Sequence, residues 1–133
     1  MLFLTDPSIG LNIESSTLNA CEIQESYYNQ IADVSLSTGT HTFDYSLGDR
    51  QKLTATGDIT LATSNFTSGK VNTFLIEAVN FGDHVITHPA AWKFAAGTAP
   101  TYTSGGTDML LLEKDDDDVF TLYVLAQAVA VVA

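Results

Sequence analysis

The sequence predicts an all-β fold: an antiparallel β-sandwich or jelly-roll-like barrel with an extended N-terminal arm. Three observations carry this. Turn signals recur about every 8–12 residues from Tyr27 onward, the rhythm of short strands joined by tight turns. Residues 41 to 47 alternate strictly, with His41, Phe43, Tyr45 and Leu47 on one face and Thr42, Asp44 and Ser46 on the other. No long stretch repeats its apolar residues at helical spacing.

The organising stretch is Val71 to Phe94. Its first run, Val71 to Val79, mixes β-branched and apolar residues on both alternating faces, as in a strand covered on two sides. Gly82-Asp83 supplies turn chemistry, so the run from His84 is expected to return antiparallel to the first. Pro89 donates no ladder hydrogen bond, so that strand stops or reaches an edge there.

At 133 residues the chain is one domain. A chain of this size buries roughly 70% of its unfolded surface, enough for a core without staples. Seven Phe, five Tyr and one Trp supply bulk. Five cations stand against sixteen carboxylates, for a net charge of −11. That balance argues against nucleic acid, which needs cations to displace counterions, and against anionic membranes. The single cysteine, Cys21, excludes an internal disulfide and reads as a small apolar residue. The first residues lack the basic flank of a secretory signal. No uncharged run reaches membrane-spanning length.

Residues 1–30 show neither period cleanly and are expected to form the arm. Ser16 or Thr17 could cap one short helix there. An arm without a core of its own needs a partner surface to offset its ordering entropy, so its role is anchoring. Leu2, Phe3, Leu4, Leu11 and Ile13 are its anchoring side chains. The β domain then spans 31–133. Its strands are expected at 31–36, 41–47, 52–56, 59–63, 71–79, 84–88, 109–112 and 119–125, separated by Thr38-Gly39, Gly48-Asp49, Gly57-Asp58, a loop at 65–69 and the charged turn Lys114–Asp118.

From Val119 to Ala133 no residue is charged. Exposed apolar β structure is an aggregation template, so this end must be covered by the domain's own sheets or by a neighbouring subunit. Covering it with a copy points to a closed homo-oligomer, with Val129, Val131 and Val132 as subunit contacts.

Catalytic and metal motifs are weak. Asp115–Asp118 lacks the alternating ligands, central Gly and terminal Glu of a calcium loop, and reads as a solvated turn between sticky strands. His84 and His88 on one strand lie roughly 13 Å apart at ~3.3 Å per residue, too far for one metal. Glu77 is the one charge inside an apolar strand and reads as a subunit contact or a solvent-facing residue. Nucleophile and phosphate-binding motifs are absent. The expectation is a protein that is not an enzyme and takes no cofactor or metal.

One resemblance covers Tyr45 to about Leu125. Asp44-Tyr45-Ser46-Leu47-Gly48-Asp49 is followed by Leu53-Thr54-Ala55-Thr56-Gly57-Asp58-Ile59-Thr60, Ser68-Gly69-Lys70, the strand Phe74–Ile76, Pro89, Lys93-Phe94, Gly97-Thr98-Ala99-Pro100 and Asp108-Met109-Leu110. In order and spacing these pieces resemble a β domain that recurs in bacteriophage virion proteins, often at the ends of tail fibres or other surface-exposed chains. This chain departs from that pattern at His88, where the family usually has Trp, and at Asp115–Asp118. The resemblance implies a virion surface component. The leading expectation is a capsid decoration (cement) protein that stabilises the head by packing against the major capsid protein or other virion proteins, as a homotrimer. The alternatives are a small tail or tail-fibre component and a carbohydrate-binding β-sandwich. The last requires Phe81, Trp92, Phe94 and Tyr102 to form an exposed platform.

Overall fold

Apolar residues at every second position set the strands of this chain, and the structure, a computed structural model, describes residues 30–131. Nine strands occur among them: β1 (Val34–Leu36), β2 (Thr40–Asp44), β3 (Arg50–Ala55), β4 (Ile59–Ser64), β5 (Asn72–Val79), β6 (Ile86–Thr87), β7 (Lys93–Phe94), β8 (Thr107–Lys114) and β9 (Phe120–Ala126). The only helical elements among the described residues are two 3-10 turns, Phe81–Asp83 and Ala95–Gly97. The all-β expectation therefore holds in its general form.

The strands make two mixed sheets. The larger has the order β1-β3-β5-β8-β9-β7, and the smaller β2-β4-β6. Consecutive strands from β1 to β6 alternate between the sheets, and each stacks parallel on the strand two before it. The chain thus winds as three turns of a coil. Val34 lies beside Leu53 in one sheet and Thr40 beside Thr60 in the other. The antiparallel pair β8 and β9 then closes the larger sheet against β5.

This corrects the expected antiparallel pairing. Of the seven ladders between these strands, only β5–β8 and β8–β9 are antiparallel. The reason is local. Gly48-Asp49 and Gly57-Asp58 do not reverse the chain within a sheet; they turn it from one sheet to the other. The expected return of His84–His88 onto β5 also fails. Phe81–Asp83 turns the chain away, and β6 pairs parallel with β4, Ile59 beside Ile86, in the smaller sheet. That ladder ends at Thr87, ahead of Pro89.

Between the sheets lies one core. Phe43, Ile59 and Leu61 come from the smaller sheet, and Leu53, Phe74, Ile76, Leu110, Leu112 and Leu122 from the larger. Phe43 and Phe74 meet across it with ring centroids 5.3 Å apart. β5 and β8 bury alternate residues, where the sequence suggested burial on both faces: Leu75, Met109 and Leu111 are only half-buried.

Stacked coils bring corners together, and one corner leaves no room for a side chain. A Cβ at Gly57 would sit 2.0 Å from the Ser37 carbonyl oxygen of the turn before it. Ile31 N–H donates to Arg50 O at 2.8 Å, and Gln30 bridges Arg50, so the described domain begins on the β3 edge. The proposed anchoring residues Leu2, Phe3, Leu4, Leu11 and Ile13, with Cys21 and Val132, lie outside the described residues.

Candidate assembly surface and the polar knots beside it

β9 leaves the core as it runs. Phe120 and Thr121 are half-buried and Leu122 is buried, but Tyr123 to Ala126 are exposed. The cause is the short neighbour. β7 pairs with β9 only at Lys93–Thr121 and Phe94–Leu122, so past Leu122 the strand has no partner on that side among the described residues. Leu125 is 56% exposed, Val129 46% and Val131 95%. Val129 and Val131 were predicted as subunit contacts, and both sit on the surface, free of charge in an acidic chain. Beside this edge opens an apolar cavity of about 260 Å³, walled by Phe94, Thr98 and Pro100 on one side and Leu122 and Val124 on the other.

The tail after β9 is held by a buried carboxylate that the sequence reading did not single out as polar machinery. Asp108 is 1% exposed. Its Oδ1 accepts from Ala128 N–H at 3.0 Å and its Oδ2 from Thr103 N–H at 2.7 Å. Val129 N–H donates to Thr107 O at 2.8 Å, and the Gln127 side chain donates to Thr101 O at 2.7 Å. One carboxylate therefore clasps the tail and the 101–106 loop to the start of β8. Beside it, burial first and the Asp108 charge second push the Tyr102 phenol well above its usual range.

A second knot sits at the opposite end of β8. Lys114 is buried, 2% exposed, although the sequence placed it in a solvated charged turn. Its Nζ donates to Lys70 O at 2.7 Å, to Asp115 O at 3.2 Å and to Asp118 Oδ1 at 2.7 Å. Asp118 also accepts from Ser68 Oγ at 2.6 Å and Gly69 N–H at 2.9 Å. The Lys114 contact, then those two donors, hold the Asp118 carboxyl well below the usual range. The turn is internally satisfied: Asp115 Oδ1 accepts from Asp117 N–H at 3.1 Å and Val119 N–H at 2.9 Å. These carboxylates are thus engaged in shaping the β8–β9 hairpin. A cavity of about 240 Å³ with a mixed polar and aromatic lining adjoins this knot, walled by Ser64, Asn65, Phe66, Lys114, Asp118 and Phe120.

The other singled-out residues are placed as follows. Glu77 lies on the outer face of β5, 3.7 Å from the Arg50 guanidinium. His41 pairs with Gln51 at 2.8 Å, and His88 with Tyr102 at 2.6 Å. Phe81 and Trp92 are buried in the core, while Phe94 and Tyr102 pack against it. The four rings required for a carbohydrate platform therefore do not form an exposed one.

Burial pushes the His41 and His88 imidazoles below their ordinary value of 6.5. As pH falls below 6.5 the unfolded chain takes up these protons before the folded one does, so stability declines. Asp44, Asp83 and Asp118 are held below 3.8 by their donors, so their contribution is present above that pH and lost as pH falls below it. Thermal unfolding across pH should show both windows. A midpoint unchanged between pH 7 and pH 5 would contradict the first.

Among the described residues no group of three or more His, Cys, Asp or Glu side chains is placed to hold a metal ion, and no helix is long and apolar enough to cross a membrane. No known family model, curated protein or solved structure matches this chain.

Proposed function

We propose that the chain is a structural protein of a bacteriophage virion that works by packing, as a capsid decoration protein on the head. The observation that carries this reading is the uncharged flank from Tyr123 to Val131. It exposes Tyr123, Val124, Leu125, Val129 and Val131 on a molecule of net charge −11. An apolar strand edge of this kind is left open where another protein covers it. The resemblance of residues 45–125 to virion surface domains supplies the setting. The partners are the major capsid protein or other virion proteins and further copies of this chain, as a trimer, with residues 1–30 as the anchor.

The finer fold that goes with this reading is a β-sandwich, two sheets closing on one core. The parallel, coil-like stacking counts against a jelly roll, whose strands pair antiparallel. A small tail component is the second reading in the same class, because the resemblance extends to tail-fibre ends. The carbohydrate reading loses its platform to the burial of Phe81 and Trp92.

The test is binding to phage heads assembled without the protein. The full chain is expected to co-sediment with them, and a chain lacking residues 1–29 is expected to stay in the supernatant while keeping its β circular dichroism. Equal binding by both would refute the anchoring role, and no binding by the full chain would refute decoration.

A further inference from the structure

We infer that the outer face of the six-stranded sheet is a self-association surface that packs on a second copy of this chain. The inference deepens the homo-oligomer part of the reading above. It rests on that part alone and not on the virion setting.

The face follows from register. Gln51, Leu53, Phe74, Ile76, Leu110, Leu112 and Leu122 point inward, so their neighbours point out. One outward row across the sheet reads Arg50, Leu75, Leu111, Tyr123. The next reads Lys52, Glu77, Met109, Ala126. The centre is therefore apolar, made by Leu75, Met109, Leu111 and Tyr123. The first three are half-buried yet are not among the residues packed against the core, which lies on the other side of the sheet. Thr54, Thr73, Thr107 and Thr121 stand on the same face toward its margins. Such a patch, apolar within and polar at its rim, has the anatomy of a protein interface.

Charge selects the occupant. The chain has five cations and sixteen carboxylates, so most approaches of two copies are repulsive. This face is different. It carries Arg50 and Lys52 on the β3 flank and Lys93 beside Thr121 on the β7 edge, with Glu77 and Glu113 on β5 and β8, so it has none of the carboxylate excess of the chain as a whole. Two copies can meet here without the carboxylate repulsion that opposes other approaches, and the cations at the flanks of one have carboxylates of the other to face. The area also suffices. Four strands at ~4.8 Å spacing and roughly 26 Å long give a footprint of about 500 Å². With side-chain relief and the rim, this approaches the ~800 Å² per partner of a standard interface.

The experiment is the molar mass of the purified full chain by light scattering and sedimentation equilibrium, from 1 to about 100 μM, with no phage particle present. Wild type is expected at two or more times the monomer mass. Leu111→Glu, and independently Tyr123→Glu, should shift the mass to that of a monomer with unchanged far-ultraviolet circular dichroism. Val85→Glu, an exposed apolar residue outside the larger sheet, should leave the oligomer intact. A monomeric wild type overturns the inference. So does an oligomer that survives both Leu111→Glu and Tyr123→Glu, or one that Val85→Glu dissolves equally. Because no phage particle is present in this measurement, failure of the inference and failure of the decoration role are told apart.

Discussion

Phe74→Ala is expected to lower the free energy of unfolding by about 3–5 kcal/mol, the cost of removing a large ring from a packed interior. Phe74 has no solvent exposure and sits where both sheets meet. Its ring lies 5.3 Å from Phe43 of the smaller sheet and 6.1 Å from Phe66 of the loop after β4. Phe66 in turn lies tilted against Tyr45 at 4.9 Å and edge-to-face with Phe120 at 5.0 Å. The ring thus joins three separately coded segments, and little backbone is free to collapse into the void. Chemical denaturation of the variant checks this. A loss below 1 kcal/mol would mean that the sheets do not share this core. Leu47→Ala, at an exposed turn residue, is the internal control and should change stability little.

Lys114→Ala is the second large effect, at about 2–4 kcal/mol, and its cause is different. The substitution removes a buried aliphatic stem and leaves the Lys70 and Asp115 carbonyls and Asp118 without their shared donor. Lys114→Met separates the two parts. It keeps the stem but not the ammonium, so its loss should be roughly half as large. The Asp118 side chain is about half exposed, so the ion pair itself contributes modestly and the carbonyl contacts matter more. Denaturation of the two variants beside wild type checks the order. Equal stability of Lys114→Ala and wild type would show that the knot does not brace the hairpin.

Strand positions were legible in the sequence because side-chain alternation reports which residues face inward. Phe43 could be read this way, whereas Phe74 could not, because the run from Val71 to Val79 is apolar on both alternating faces in the sequence and buries only one. Pairing was not legible, because alternation has the same period whether a neighbour runs parallel or antiparallel. A missed signal does exist. Thr38-Gly39 and Thr56-Gly57 are equivalent corners of successive coils, each followed by a Thr-rich strand, and a search for internal repeats would have aligned them. The exposed C-terminal flank was visible as an absence of charge. The Asp108 clasp and the buried Lys114 were not, since a charged residue at a strand end looks the same whether it is solvated or enclosed. Asp108 opens the otherwise apolar run Met109–Leu112, and its two backbone donors give a carboxylate there a structural role.

The central claim is that the uncharged flank after Leu122 is covered by another protein in the working assembly. Cryo-electron microscopy of the intact particle tests it most directly. The account predicts this fold on the head surface as an oligomer, with Tyr123 to Val131 buried against neighbouring subunits. A map that places the chain elsewhere on the particle would contradict the decoration role. One that leaves those residues facing solvent would contradict the claim itself.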